Sequence, residues 1–176
     1  MKSTALRLFL LVVLGGSAFA QERDPVSGPQ RRSWLSRMLH PFRPEPIPEY
    51  RDMKLRGLAL SLELSPQPVK LSEVRQMEVK LTLTNKSRRP ITLDFPSAQR
   101  FEIYLRNSSE RILTTWSDNH AFAESVGTIL INPQEHIEYV ETIATRELTP
   151  NKVFIAEVFF PQYPELRIRQ KFLTAP

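Results

Sequence analysis

From residue 57 the chain alternates apolar and polar positions with a period of two. Leu58, Leu60, Leu62 and Leu64 interleave with Ala59, Ser61 and Glu63, and Met77, Val79, Leu81 and Leu83 interleave with Glu78, Lys80, Thr82 and Thr84. A period of two with one polar side is the signature of a half-buried strand. Further strand candidates are Ile91 to Phe95, Phe101 to Leu105, Arg111 to Trp116, Thr128 to Ile131, Ile137 to Ile143, Val153 to Phe160 and Leu166 to Phe172. Turn-forming runs separate them, among them Pro66-Gln67-Pro68, Asn85-Lys86-Ser87, Asn107-Ser108-Ser109-Glu110, Asn132-Pro133-Gln134-Glu135 and Pro161-Gln162-Tyr163-Pro164. Only Asp118 to Ser125 leaves room for a helical turn. Seven to nine short strands at intervals of about ten residues predict an all-β domain over residues 57–176, an immunoglobulin-like antiparallel β-sandwich. The leucines of the first two strands, with Phe101, Trp116, Phe154 and Phe159, are its expected core.

The first 56 residues follow other rules. Lys2 and Arg7 precede an unbroken apolar run, Leu8 to Leu14, and Ala18-Phe19-Ala20 is a small-x-small site. That is the three-part pattern of a secretory leader over residues 1–20, with cleavage after Ala20. Its apolar stretch, 13 residues from Leu8 to Ala20, falls short of the roughly 20 that a spanning helix needs. No transmembrane span is therefore expected in the mature chain. Residues 21–56 hold six of the 15 prolines and read as a disordered Pro/Arg-rich linker. Within it, residues 33–40 combine a capping serine, apolar residues at 34, 35, 38 and 39, and a stop at Pro41. They predict a short helix, and Trp34 to Phe42 is a candidate segment for peripheral docking on a membrane or a partner.

Charge sharpens this division. The 176 residues carry 24 Lys and Arg against 19 Asp and Glu, which invites a nucleic-acid partner. Residues 57–176, however, hold 14 of each sign. The excess belongs to the leader and the linker, and no nucleic-acid partner is expected. The chain has no cysteine and three histidines, His40, His120 and His136. Disulfides, thiolate metal sites and a cysteine nucleophile are thereby excluded.

One region is more specific than strand and turn. Ser97-Ala98-Gln99-Arg100-Phe101-Glu102-Ile103-Tyr104-Leu105 leads through a polar turn into Ile112-Leu113-Thr114-Thr115-Trp116-Ser117-Asp118, with Phe122 close behind. This run resembles the BsuPI-type proteinase inhibitor family, which shows a Ser-x-Gln-Arg-aromatic-acidic strand, a hairpin, and Trp-Ser before a Phe. Val79 to Ser87 is similar to the family's second strand with its closing Asn. Leu130 to Glu135 lies where the family has a Pro-Gly-Glu turn, and the resemblance spans about Leu58 to Leu173. Glycine is missing from both family turns. Asn107 tolerates positive φ but Gln134 does so poorly, so the second turn is expected to take another geometry.

Ser97, Gln99, Arg100, Phe101 and Trp116 read as scaffold: Gln99 and Arg100 as donors to carbonyls at the start of a strand, Trp116 as a plug between sheets. Ser117 or Asp118 is expected to cap a turn over Ala121 to Ser125. Ser117-Asp118-Asn119 matches one motif of penicillin-binding enzymes, but the sequence contains neither Ser-x-x-Lys nor Lys-Thr-Gly. Ser117, Asp118 and His120 are too close along the chain to form a triad. No catalytic residue, cofactor or metal is expected. The resemblance implies a non-enzymatic protein-binding module with a protease, in the first instance a serine protease, as its partner. The candidate contact loop is Ser117 to Gly127, with Ser117, Asp118, Asn119, His120 and Phe122 as contact residues. The alternative is a cell-envelope adaptor domain tethered by its basic N-terminal tail. The family's founding member is intracellular, whereas the leader predicts export, so the expected location is periplasmic or extracellular.

Overall fold

The computed structural model describes residues 48–176. The leader with its cleavage site, the helix expected over residues 33–40, the docking segment Trp34 to Phe42 and most of the linker lie outside the described residues.

Alternation in the sequence becomes a ladder with one buried side. Strands β1 (Leu58–Ser65) and β3 (Gln76–Asn85) pair antiparallel with Leu60 opposite Leu83, Leu62 opposite Leu81 and Leu64 opposite Val79. Leu58, Met77, Val79, Leu81 and Leu83 are sealed from solvent. On the other edge of β3 lies β8 (His136–Ala144), which completes a three-stranded sheet in the order β1-β3-β8. The second sheet is built on β9 (Val153–Phe160), flanked by β10 (Tyr163–Ala175) and β5 (Glu102–Arg106). Strand β6 (Ile112–Thr115) closes one edge, and β2 (Val69–Lys70), parallel to the end of β10, the other. β4 (Ile91–Phe95) and β7 (Gly127–Ile131) form a separate antiparallel pair.

The result is an all-β sandwich-like fold of antiparallel sheets, as the sequence predicts, with β2 as the one strand the alternation does not reveal. Two residues between prolines and a turn cannot show a period. The inner face of the larger sheet supplies Ile103, Leu105, Phe154, Ala156, Val158, Phe160 and Phe172 to the core. Phe160 rather than Phe159 points inward; Phe159 is on the outer face, half-buried. Ordered structure also begins upstream of Gly57. Met53–Leu55 is a 3-10 turn whose N-cap Asp52 accepts from Lys54 N at 2.8 Å. Tyr50 and Leu55 join the core, and burial, helped by the Glu165 carboxylate, pushes the Tyr50 hydroxyl up to about 12.

Buried Asn85 binds the pair β4–β7 to the three-stranded sheet. Its Nδ2 donates to Arg89 O and Ile131 O, both at 2.9 Å, while Oδ1 accepts from Ser87 N and Ser87 Oγ. Such full satisfaction is what makes a buried amide tolerable. Tyr163 provides the link to the other sheet. Its hydroxyl accepts from Asp94 N at 2.7 Å and donates to Asp94 O at 3.0 Å.

Candidate functional site

The motif residues meet at one end of the sandwich, where β4 turns into β5 and β6 runs into a second 3-10 turn, Trp116–Asn119. Arg100 sits here with its guanidinium 4.7 Å over the Phe95 ring and its Nη1 donating to Ser97 O at 3.1 Å. Gly127 makes room for it: a Cβ at that position would lie 2.2 Å from Arg100 Nη2. Gln99 donates through Nε2 to Phe101 O at 3.4 Å and to Glu102 Oε2 at 3.1 Å, and Ser97 Oγ accepts from Gln99 N.

Phe101 and Trp116 are buried and stack at 5.1 Å between ring centroids. Phe101 reaches inward to Tyr139 and Phe160, and Trp116 outward to His120 at 4.1 Å and Phe122 at 5.5 Å. A continuous file of rings therefore runs from the core into the candidate loop. Edge and offset ring contacts of this sort add to burial and fix relative orientation.

The residue that sequence reasoning does not single out is Glu102. It is buried, and its Oε1 accepts from Ile103 N at 2.9 Å and from Ser117 N at 3.2 Å, while Oε2 takes the Gln99 amide. One carboxylate thus ties the start of β5 to the turn that opens the loop. Its signal was the acidic position of the Ser-x-Gln-Arg-aromatic-acidic run.

The turn differs from the expected one. It comprises Trp116–Asn119 instead of Ala121 to Ser125, its N-cap is Thr115 without a side-chain bond, and Ser117 and Asp118 lie within it. His120 N closes the turn on Ser117 O at 3.0 Å, and His120 Nδ1–H donates to Trp116 O at 2.7 Å. With Nδ1 committed to a carbonyl, His120 is not oriented by Asp118 as the base of a triad would be. Asp118, Asn119 and His120 are exposed, whereas Ser117 and Phe122 are partly covered by the domain. Farther on, Ala98 N donates to Ala123 O at 2.9 Å and pins the loop to the β4–β5 connection.

Beside the loop, a cleft of about 280 Å³ opens between the edge strands β6 and β8, lined by Thr114, Thr115, Trp116, Asn119, His120, Thr142 and Ala144, among others. Thr114 Oγ1, Trp116 Nε1 and Tyr139 Oη in this region are buried without hydrogen-bond partners among the described residues. Burial also raises the Tyr139 hydroxyl above its ordinary value, against the pull of the Arg100 charge.

The model of the BsuPI family, described as intracellular proteinase inhibitor, matches residues 62–164, more than half of the chain. The chain belongs to the BsuPI family. The matched span contains the whole Ser97 to Phe122 motif and the loop that follows it. The expectation of export to the periplasm or exterior is corrected by this finding, because the family is described as an intracellular one. A proteinase inhibitor family implies a non-catalytic protein with a protease as its partner.

No protein with a curated description matches the chain in sequence. Among solved structures, a β-glucosidase from Erythrobacter marinus aligns with a TM-score of 0.40 and 8% identity, over 67% of this chain and 15% of that chain. An alkylpurine DNA glycosylase from Pseudomonas fluorescens gives 0.39 and 14%, over 68% and 31%. A β-glucosidase from Listeria innocua gives 0.37 and 12%, over 68% and 16%. The chain spans less than a third of each of these proteins. Among the described residues, no helix is long and apolar enough to cross a membrane.

Proposed function

We propose that this protein is a protease-binding inhibitor that engages a serine protease through the exposed part of the loop 117–126, with Asp118, Asn119 and His120 as contact residues. The observation that carries this reading is the way the loop is held. Its exposed polar residues stand on a turn fixed from below by Glu102 and by the stacked Trp116, and from the side by the Ala98–Ala123 bond. A segment ordered before it binds loses little conformational freedom on binding, which is the main advantage a rigid sandwich offers an inhibitory loop. The cleft between β6 and β8 gives the partner a concave surface directly beside those residues.

The test is a titration of the full chain against a panel of serine proteases. Inhibition of at least one is expected, weakened about tenfold or more by the double change Asp118→Ala, Asn119→Ala. Glu102→Ala should weaken it as well without removing any contact with the partner, since it frees the turn. Absence of inhibition across the panel, with cleavage of the chain between residues 117 and 127, overturns the reading.

A further inference from the structure

The outer face of the five-stranded sheet carries a charge arrangement that the domain's zero net charge conceals. Glu157, at the centre of β9, has a side chain with 0% exposure, and three guanidiniums converge on it. Arg106 Nε donates to its Oε2 at 2.5 Å, Arg169 Nε to Oε1 at 2.9 Å, and Arg167 Nη1 lies 3.1 Å from Oε1. One carboxylate cannot neutralise three cations. Glu110, bound to Arg169 Nη1 at 3.0 Å, removes one more charge, and Lys171, next outward along β10, adds one. Arg167 and Arg169 keep 42% of their side-chain surface exposed.

The donors are also held in place. Arg106 uses Nε for Glu157 and Nη1 for Glu110 O, and Arg169 uses Nε for Glu157 and Nη1 for Glu110. Among the described residues this leaves the Nη2 group of each, and most of the Arg167 fork, without an acceptor. Guanidinium forks fixed on a sheet are suited to carboxylates, which take two donors side by side. Two aromatic rings share the face, and each already has a guanidinium against it: Arg106 lies 5.2 Å over Tyr104 and Arg167 4.9 Å over Phe159. That disfavours nucleic acid, whose bases need open rings.

We infer that this face, formed by Arg106 on β5 and Arg167, Arg169 and Lys171 on β10, docks an acidic segment of a partner protein through its carboxylates. Charge complementarity selects the occupant. The chain's own N-terminal residues 1–47 carry seven Lys and Arg against three Asp and Glu, so their charge does not complement the face. The row Arg167, Phe159, Glu102 runs to the turn that opens the candidate loop. One partner can therefore cover both surfaces, although the inference stands whether or not that partner is a protease.

The test uses the full chain and a fluorescein-labelled oligoglutamate peptide, followed by anisotropy at low ionic strength. Saturable binding that weakens steeply with added salt is expected. Arg167→Gln with Lys171→Gln should weaken it about tenfold. Neither residue is in the core, and an unchanged unfolding midpoint shows that the fold survives. Lys171→Gln alone, at a residue outside the Glu157 cluster, should give a smaller loss in the same direction. Four outcomes overturn the inference: no binding of the peptide, binding abolished by neutralising Arg31, Arg32 and Arg37 and insensitive to the face variants, tighter binding of oligothymidylate through the same arginines, or a salt-sensitive self-association that those arginines control.

Discussion

On the outer face of the five-stranded sheet, three arginines surround a carboxylate that solvent does not reach. On the outer face of the three-stranded sheet, Glu63, Glu78, Lys80 and Glu138 stand largely in water, and Lys80 Nζ meets Glu138 Oε1 at 2.8 Å with 32% and 44% of the two side chains exposed. Each face carries an ion pair of good length, and their consequences differ because of burial. A charge removed from water must be met by fixed donors or the fold loses stability, whereas an exposed pair exchanges one set of favourable contacts for another. The signs differ as well, cationic on one side and anionic on the other. A domain that sums to zero is thus polarised across its thickness.

The largest effect expected from breaking this contrast is at Glu157. Glu157→Ala leaves Arg106, Arg167 and Arg169 facing one another, and we expect a loss of about 2 kcal/mol in urea denaturation, less than for a fully enclosed pair because the arginines reach solvent. Acid should expose the same group. Burial alone pushes the Glu157 carboxyl up, but the hydrogen bonds and charges of Arg169 and Arg106 outweigh it and hold it below its ordinary 4.5. A carboxyl depressed in the folded state stabilises the fold above its unfolded value, and that contribution disappears as pH falls through the folded value. The stability difference between the native chain and Glu157→Gln should therefore be flat above about pH 5 and shrink below it. A difference that does not change with pH would show that the arginines do not bind the ionised form.

Next in size is Arg106, the most covered of the three at 16% side-chain exposure. It meets Glu157, the carbonyl of Glu110 and the Tyr104 ring at once. Lysine can occupy only one of these positions, so Arg106→Lys should cost about 1 kcal/mol by denaturation. The corresponding change at exposed Arg167 should cost less.

These faces also show what the sequence made legible. The first two strands were readable because one side of each is wet. In β9 both sides are covered, since Ile155 and Glu157 are buried along with Phe154, Ala156 and Val158. Alternation disappears there, and Phe159 reads as well for the core as Phe160. The parity of Glu157 resolves it, because a carboxylate at 157 places 159 on the same outer face. Turn chemistry misled in the opposite sense. Gln134 adopts φ 66° and Glu110 φ 64°, so both turns take the left-handed conformation without glycine, and at the hairpin it falls on Glu110, not Asn107. Hydrogen bonds hold both: Gln134 N donates to Asn85 O at 2.8 Å, and Glu110 N to Asn107 O at 3.0 Å. The site was legible as a motif, with Phe101 and Trp116 buried, but the role of Glu102 was not. Its partner Ser117 is remote along the chain, and only the hairpin brings the two together.

The smallest effect should come from the other face. The hydrogen bond from Lys80, with its charge, outweighs desolvation and holds the Glu138 carboxyl below its ordinary value; reciprocally, Glu138 raises the Lys80 ammonium. Both charged ends reach solvent, so water and dissolved ions compete for each, and holding two long side chains together lowers their entropy. Lys80→Gln should therefore leave the unfolding midpoint unchanged while the Glu138 carboxyl, followed by NMR through an acid titration, moves back up toward its ordinary value. A titration shift without a stability change is what separates an ion pair that merely forms from one on which the fold depends. Were Lys80→Gln to destabilise the chain as much as Glu157→Ala, the two faces would not differ in kind, and burial would not be what makes the arginine cluster matter.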